Sequence, residues 1–196
     1  GLRVINATQV NGVDGTNPAD LTRAELEGRR QAFQVLEFLR RHAPGYEKAC
    51  IAEMPAAVGV RETRRILGKA YLTRDDLLAG RRWPEAVVRS ASFPIDIHNP
   101  AGSGQAEGAG SQAAQGIAAR VKPYDIPYGC LVPKDTGGLL TAGRCISGSH
   151  EAHASYRVQC IAMGIGAAAG AAAALAAQNG IQPQQVDVRD IQRLLG

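Results

Sequence analysis

GLLTAGRCISGSHEAHASYRVQCIAMGIGAAAGAAAALAAQ, residues 138–178, decides how this chain is read. A short apolar segment, Leu139–Ala142, is expected to be a buried strand. It runs through Gly143-Arg144 into a polar loop carrying His150, Glu151, His153, Ser155, Tyr156 and Arg157. A helix made almost wholly of Ala, Gly and Ile follows. A strand leading through a glycine turn to a helix start is a ready anion site, because the first N–H groups lack intrahelical partners and the dipole is positive there. Small residues let a ligand or another backbone approach closely, and Gly166-x-x-x-Gly170 places two glycines on one helical face for tight packing. Polar side chains are costly to set beside a buried apolar helix unless they have partners or work to do.

The rest of the chain frames that stretch. Its 196 residues are enough for a substantial core, and with aromatics at only 5% and 23 glycines, that core is expected to be built by close approach rather than large rings. Net charge is +4 and the basic residues are scattered, with no aromatic-plus-basic pattern for nucleic acid. Cys50, Cys130, Cys145 and Cys160 show no C-x-x-C spacing and are read as reduced and mostly buried thiols; Cys145 and Cys160 are the two that could serve as nucleophiles. Cys160–Ala177 is a run of 18 apolar or glycine residues, long enough to cross a membrane. Ala and Gly contribute little insertion energy and no basic cluster or aromatic belt flanks the run, so a soluble helix is expected.

Upstream, Arg3–Val10 alternates like a strand. Thr22-Arg-Ala-Glu25 reads as a capping box opening a helix with Leu26, Phe33, Leu36 and Leu39 on its apolar face, ended at Pro44. Residues 57–72 read as extended chain, and Thr73–Asp76 as the cap of a short helix. Ala86–Val88 reads as helical and Ser92–His98 as a strand. Asn99–Gly116 is a Gly/Ser-rich loop, Tyr124–Pro133 is extended, and Val186–Leu195 is a final helix. The fold class expected is α/β, in the mixed α+β sense.

His150-Glu-Ala-His153 falls one residue short of H-E-x-x-H. With His98 it could form a zinc hydrolase site, although nothing in the spacing requires a metal and none is assigned. Arg61, Arg64 and Arg65 could bind a carboxylate or pair with neighbouring acids. His98, His150 and His153 are candidates for proton transfer, with His150 and Glu151 foremost.

In order along the chain, Gly59-Val-Arg-Glu-Thr-Arg-Arg-Ile66, Pro94–His98, Ile126–Pro133, Gly138–Ser147, His150–Val158 and Met163–Gly170 together resemble the FAD-dependent oxidoreductase family, some of whose members carry the label xanthan lyase-like. The resemblance implies a glutathione-reductase-like flavoprotein and hydride transfer between a small-molecule substrate and FAD. Residues 1–122 would be a substrate-domain portion and 123–196 the C-terminal segment of the FAD-binding domain. Gly143, Arg144, Arg157, Ala162, Met163 and Gly164 would lie along the cofactor, with the Ala/Gly helix aiming its N-terminus at the flavin. His150, Glu151 and His153 would be catalytic, and Arg61, Arg64, Arg65 and His98 would meet substrate. The family's G-x-G-x-x-G turn is missing here. The chain is therefore expected to be the C-terminal part of a longer enzyme, partnered by the FAD-binding half of its parent, inactive alone and weak in FAD binding. A homo-oligomer and a cytoplasmic location are compatible with it. The alternative outside enzymology is a binding or scaffold module without its cofactor half.

Overall fold

The computed structural model describes residues 1–97 and 121–196. They form two compact units, Gly1–Thr63 and Arg64–Gly196. The first unit is organised on helix α1, Pro18–His42. Asn17 caps it by accepting from the Ala19 N–H, and Pro18 occupies the first turn, where a missing N–H costs nothing. The Asn-Pro pair thus starts the helix five residues before the expected capping box. Thr22 lies inside the helix and donates its hydroxyl to Pro18 O at 3.0 Å. Glu25 accepts from the Val58 N–H at 2.6 Å, and Arg40 Nε donates to Ala49 O at 2.8 Å, strapping the irregular chain after the helix onto it. Leu36 and Leu39 are half-buried, while Leu26 and Phe33 of the expected apolar face are exposed. Arg3–Val10 is not a strand: none of the described residues of this unit pairs with it, and Leu2 and Val4 stand in solvent.

The second unit has an antiparallel pair at its centre, β1 (Ala86–Ala91) and β2 (Tyr124–Pro127). Residues 86–88 are therefore strand rather than helix, because the β-branched Val87 and Val88 find a partner in Ile126 and its neighbours. The register slips between Val88 and Ala91, where Ser90 takes φ 55°. Buried Asp125 stabilises that irregularity by accepting from the Ser90 N–H at 3.0 Å and from Arg82 at 2.7 Å. The strand ends at Ala91, so Ser92–Ile97 is irregular; the expected strand's last residue, His98, and the Gly/Ser-rich stretch after it lie outside the described residues. This pairing also joins residues on both sides of position 122 into one core.

Helix α2 (Arg74–Ala79) has the expected capping box, Thr73 and Asp76 each accepting from the other's backbone N–H, and closes on left-handed Gly80. Helix α3 (His150–Tyr156) occupies the stretch expected to be loop. Helix α4 (Gln159–Asn179) is the Ala/Gly helix, and α5 (Val188–Leu195) is the expected final helix, with Asp187 as its N-cap. Ile161, Ile165, Ala168, Ala172 and Ala176 repeat every three or four residues and bury one face of α4 in the core with β1 and α5. Its length and composition would also allow a membrane crossing. Gly166 and Gly170 lie off the buried face, and a Cβ at either would meet nothing within 4 Å, so the expected tight packing there is not found among the described residues.

Three irregular segments hold the base of this unit together. Residues 66–72 run between residues 129–134 and 145–149, with Ile66 N–H donating to Cys145 O at 3.0 Å, Lys69 N–H to Val132 O at 3.0 Å, Ala70 N–H to Gly129 O at 3.1 Å and Ser149 N–H to Leu72 O at 2.8 Å. The expected extended chain at 57–72 is thus extended over its later part but forms only isolated bridges, Gly68 to Pro133 and Leu72 to Gly148. Leu139–Ala142 is not a buried strand either. Leu139 is 47% exposed, and Thr141 makes a single backbone hydrogen bond, to Leu131 O at 2.9 Å.

Gly129 is needed where these segments cross. A Cβ there would come within 2.9 Å of both the Ala70 Cβ and its backbone nitrogen. Gly129→Ala is expected to cost about 1–3 kcal/mol in urea denaturation, since backbone must move to admit the methyl. At the open position Gly166 the same change should stabilise α4 by roughly 0.5–1 kcal/mol.

Candidate functional site around helix α3

The clasped segments position the polar groups around the start of α3. Gly143, at φ 73°, turns the chain into a short 3-10 turn, Gly143–Cys145, which a side chain with a Cβ would adopt only under strain. Cys145 O receives the Ile66 N–H, so Arg144 and Arg65 are next-door neighbours of one hydrogen-bonded pair. Arg65 Nε donates to Gly148 O at 2.9 Å, just ahead of α3. Ser149 then caps α3 by accepting from the Ala152 N–H.

On α3, His150 is exposed, Glu151 is half-buried and His153 is 1% exposed. Glu151 sits in the first turn, where its carboxyl is held below the usual range by its own backbone N–H and the Ser149 hydroxyl, against partial burial, with His150 and Arg74 adding attraction. Tyr156 meets the His153 ring edge-on at 5.4 Å and donates its hydroxyl to Ile146 O at 3.0 Å. Burial pushes the His153 imidazole down to about 4, and the positive charges of Arg65, Arg157, His150 and Arg144 push the same way. A neutral imidazole at the focus of cationic groups is the electrostatic signature of the site.

The expected cofactor residues separate into three settings. Arg157, at the end of α3, has a side chain only 13% exposed and binds Asp96 through both the backbone oxygen at 2.9 Å and the carboxylate at 3.0 Å. This partly buried pair ties the chain before His98 to the α3–α4 junction. Gly164 faces inward, with Val88 methyl groups 3.5 Å from where its Cβ would be. Met163 is 72% exposed, Ala162 half-buried, and Arg144 exposed on its turn. Arg64 is exposed and Arg65 half-buried. Arg61 belongs to the first unit, and His98 lies outside the described residues.

Helix α4 begins without a side-chain cap. Its N-cap is Val158, whereas α1, α2, α3 and α5 are capped by Asn17, Thr73, Ser149 and Asp187. Gln159 and Cys160 at this end are exposed. The four thiols are free, but only Cys130 is buried, and burial pushes it up to about 12, which makes it inert. Among the described residues no three His, Cys, Asp or Glu side chains gather to hold a metal, so His150 and His153 have no third ligand there.

Asp96 and Ser149 were not singled out from the sequence. Ser149 could have been: a serine directly before His-Glu, with the acid in the first turn, is a helix-start signal. Asp96 carried no local signal, because its partner is 61 residues away.

The family model described as FAD dependent oxidoreductase matches residues 2–195 of the chain. No curated protein and no solved structure matches it.

The low proton affinity of His153 makes stability depend on pH. The unfolded chain binds a proton near pH 6.5, whereas the folded imidazole does so only at about 4. Its contribution is present above 6.5 and is lost as pH falls through 4, amounting to roughly 3 kcal/mol by linkage. Urea denaturation between pH 7 and 4 should show this loss, and His153→Gln should remove that component of the pH dependence.

Proposed function

This chain belongs to the FAD dependent oxidoreductase family, and we propose that it supplies the flavin-facing end and part of the substrate-binding region of a glutathione-reductase-like enzyme. The observation that carries this reading is the uncapped start of α4. Its N-cap residue, Val158, offers no side-chain acceptor, while the N-cap residues of the other described α-helices do. Such an end favours negative charge by roughly 0.3–1 kcal/mol, and more where water is excluded. When bound, FAD would supply hydride acceptance, with negative charge gathering at the pyrimidine end of the reduced ring.

In this reading the chain's own residues bind, orient and exclude. Ala162 and Gly164 keep the first turns of α4 slim, and exposed Met163 offers an apolar contact beside them. Gly143 and Arg144 line the cofactor from the turn opposite. Arg157 acts through Asp96, fixing the junction from which α4 departs. His150 is the candidate to move a proton at the substrate, with Glu151 orienting it and neutral His153 buried behind them on α3. Residues 123–196 are the C-terminal segment of the cofactor domain and 1–122 a substrate-domain portion. The open Gly166–Gly170 face suits packing against the other half of the cofactor domain in a longer parent chain.

The visible absorption spectrum of the full-length protein tests this reading, taken before and after denaturation. Flavin bands with FAD released into the supernatant are expected. A colourless protein that takes up no added FAD would sink the proposal. Val158→Asp should sharpen the result. The new cap is worth about 1 kcal/mol and offsets about 1 kcal/mol of lost apolar burial. Stability should change little, while the carboxylate at the helix start weakens FAD binding tenfold or more.

A further inference from the structure

We infer that Asn11 is a site of spontaneous covalent modification, becoming aspartate and isoaspartate through attack by the Gly12 nitrogen, while the fold protects the chain's other Asn-Gly pair, Asn179-Gly180. The inference does not depend on the oxidoreductase reading. In this chemistry the deprotonated Gly12 nitrogen forms a bond to Asn11 Cγ, the side-chain nitrogen leaves as ammonia, and a succinimide ring closes. Water then opens the ring at one carbonyl or the other. Water is the only co-reactant, and nothing is oxidised or reduced. The sequence narrows the choice of asparagine. Asn17 and Asn99 precede proline, which has no N–H to give up. Asn6 precedes Ala7, whose Cβ crowds the ring closure, whereas glycine hinders it least.

The two Asn-Gly pairs are held differently. Asn179 ends α4, and its Nδ2 donates to Leu175 O at 3.0 Å, drawing the amide back along its own helix. The Gly180 N–H donates to Ala176 O and Ala177 O in the turn that closes the helix. Electrophile and nucleophile are both engaged, so the helix end must open before they can react. Asn11 is exposed and belongs to no helix or strand. The Gly12 N–H donates to no group among the described residues, and a Cβ at Gly12 would meet nothing within 4 Å. Gln9 Nε2 donates to Asn11 Oδ1 at 2.9 Å, which favours the negative charge that develops on this oxygen during attack. Arg23 Nη2 donates to Gly12 O at 3.0 Å, on the carbonyl and not on the reacting nitrogen. Isoaspartate would lengthen the main chain by a methylene at the entrance to α1, just ahead of the turn that Asp20 holds through the Asp14 N–H at 2.7 Å.

The test is a timed incubation of the full-length protein at mildly alkaline pH. Samples are digested, and the peptides carrying positions 11 and 179 are followed by mass spectrometry with fragmentation that distinguishes isoaspartate from aspartate. Asn11 is expected to convert at least about tenfold faster than Asn179, the ratio for a helix end whose opening costs about 1.4 kcal/mol. In concentrated urea the two rates should converge, because both pairs are then Asn-Gly in an open chain. Gly12→Ala should slow conversion at Asn11 several-fold and leave Asn179 unchanged. Equal rates in the native protein, or an Asn11 that reacts only in urea, would overturn the proposal. So would a rate ratio that persists in urea, since local sequence and not the fold would then be its cause.

Discussion

The structure of the second unit depends on backbone hydrogen bonds among three segments that form no regular sheet. Residues 66–72 lie between 129–134 and 145–149, and each neighbour accepts or donates along the way. A buried N–H or C=O without a partner costs as much as a lost hydrogen bond, so these segments cannot separate without exposing several at once. Gly68 and Gly129 let them meet: a Cβ on Gly68 would come within 2.6 Å of Gly129 O. The polar site is a consequence of that clasp. Arg65, Arg144 and the start of α3 are each one or two residues from a clasping hydrogen bond.

The same clasp explains why a histidine can be buried among cations. Burying an imidazole beside positive charge is tolerable if it stays neutral, and burial and charge both favour that form here. Tyr156 closes the ring in from its edge, and its own hydroxyl is satisfied by Ile146 O. Nearby, the Tyr124 and Ser155 hydroxyls share a bond at 2.8 Å, and Ser155 donates onward to Phe93 O at 2.6 Å. This buried chain fixes the back of α3 against β2, so the helix presents His150 outward and His153 inward without a choice of rotation.

What the sequence disclosed follows from the range of the forces involved. Local chemistry was readable: the Thr73–Asp76 capping box, the long Ala/Gly helix and the final helix are all present. Elements set by pairing were not. Val87 and Val88 follow a proline that suggested a helix, yet a partner strand 38 residues beyond β1's start decides their state. Arg3–Val10 and Leu139–Ala142 have strand-like composition but lack the partner that would make them strands among the described residues. The capping box at Thr22 lost to Asn17-Pro18, which offers both a side-chain acceptor and a preset φ. The site residues were legible as types; that Arg65 belongs with α3 was not, because 83 residues separate it from Gly148.

Arg157 and Arg65 show how the same side chain is held in two ways in one unit. Arg157 meets Asp96 in a partly buried pair, through both the carboxylate and the backbone oxygen. That pair ties the end of α3, just before α4 departs, to the chain at Asp96. Arg65 is anchored through Nε to the Gly148 carbonyl at 2.9 Å, which orients its guanidinium just ahead of α3. The charge of the region is thus graded, from the neutralised Arg157 pair inside to Arg144 and His150 at the surface.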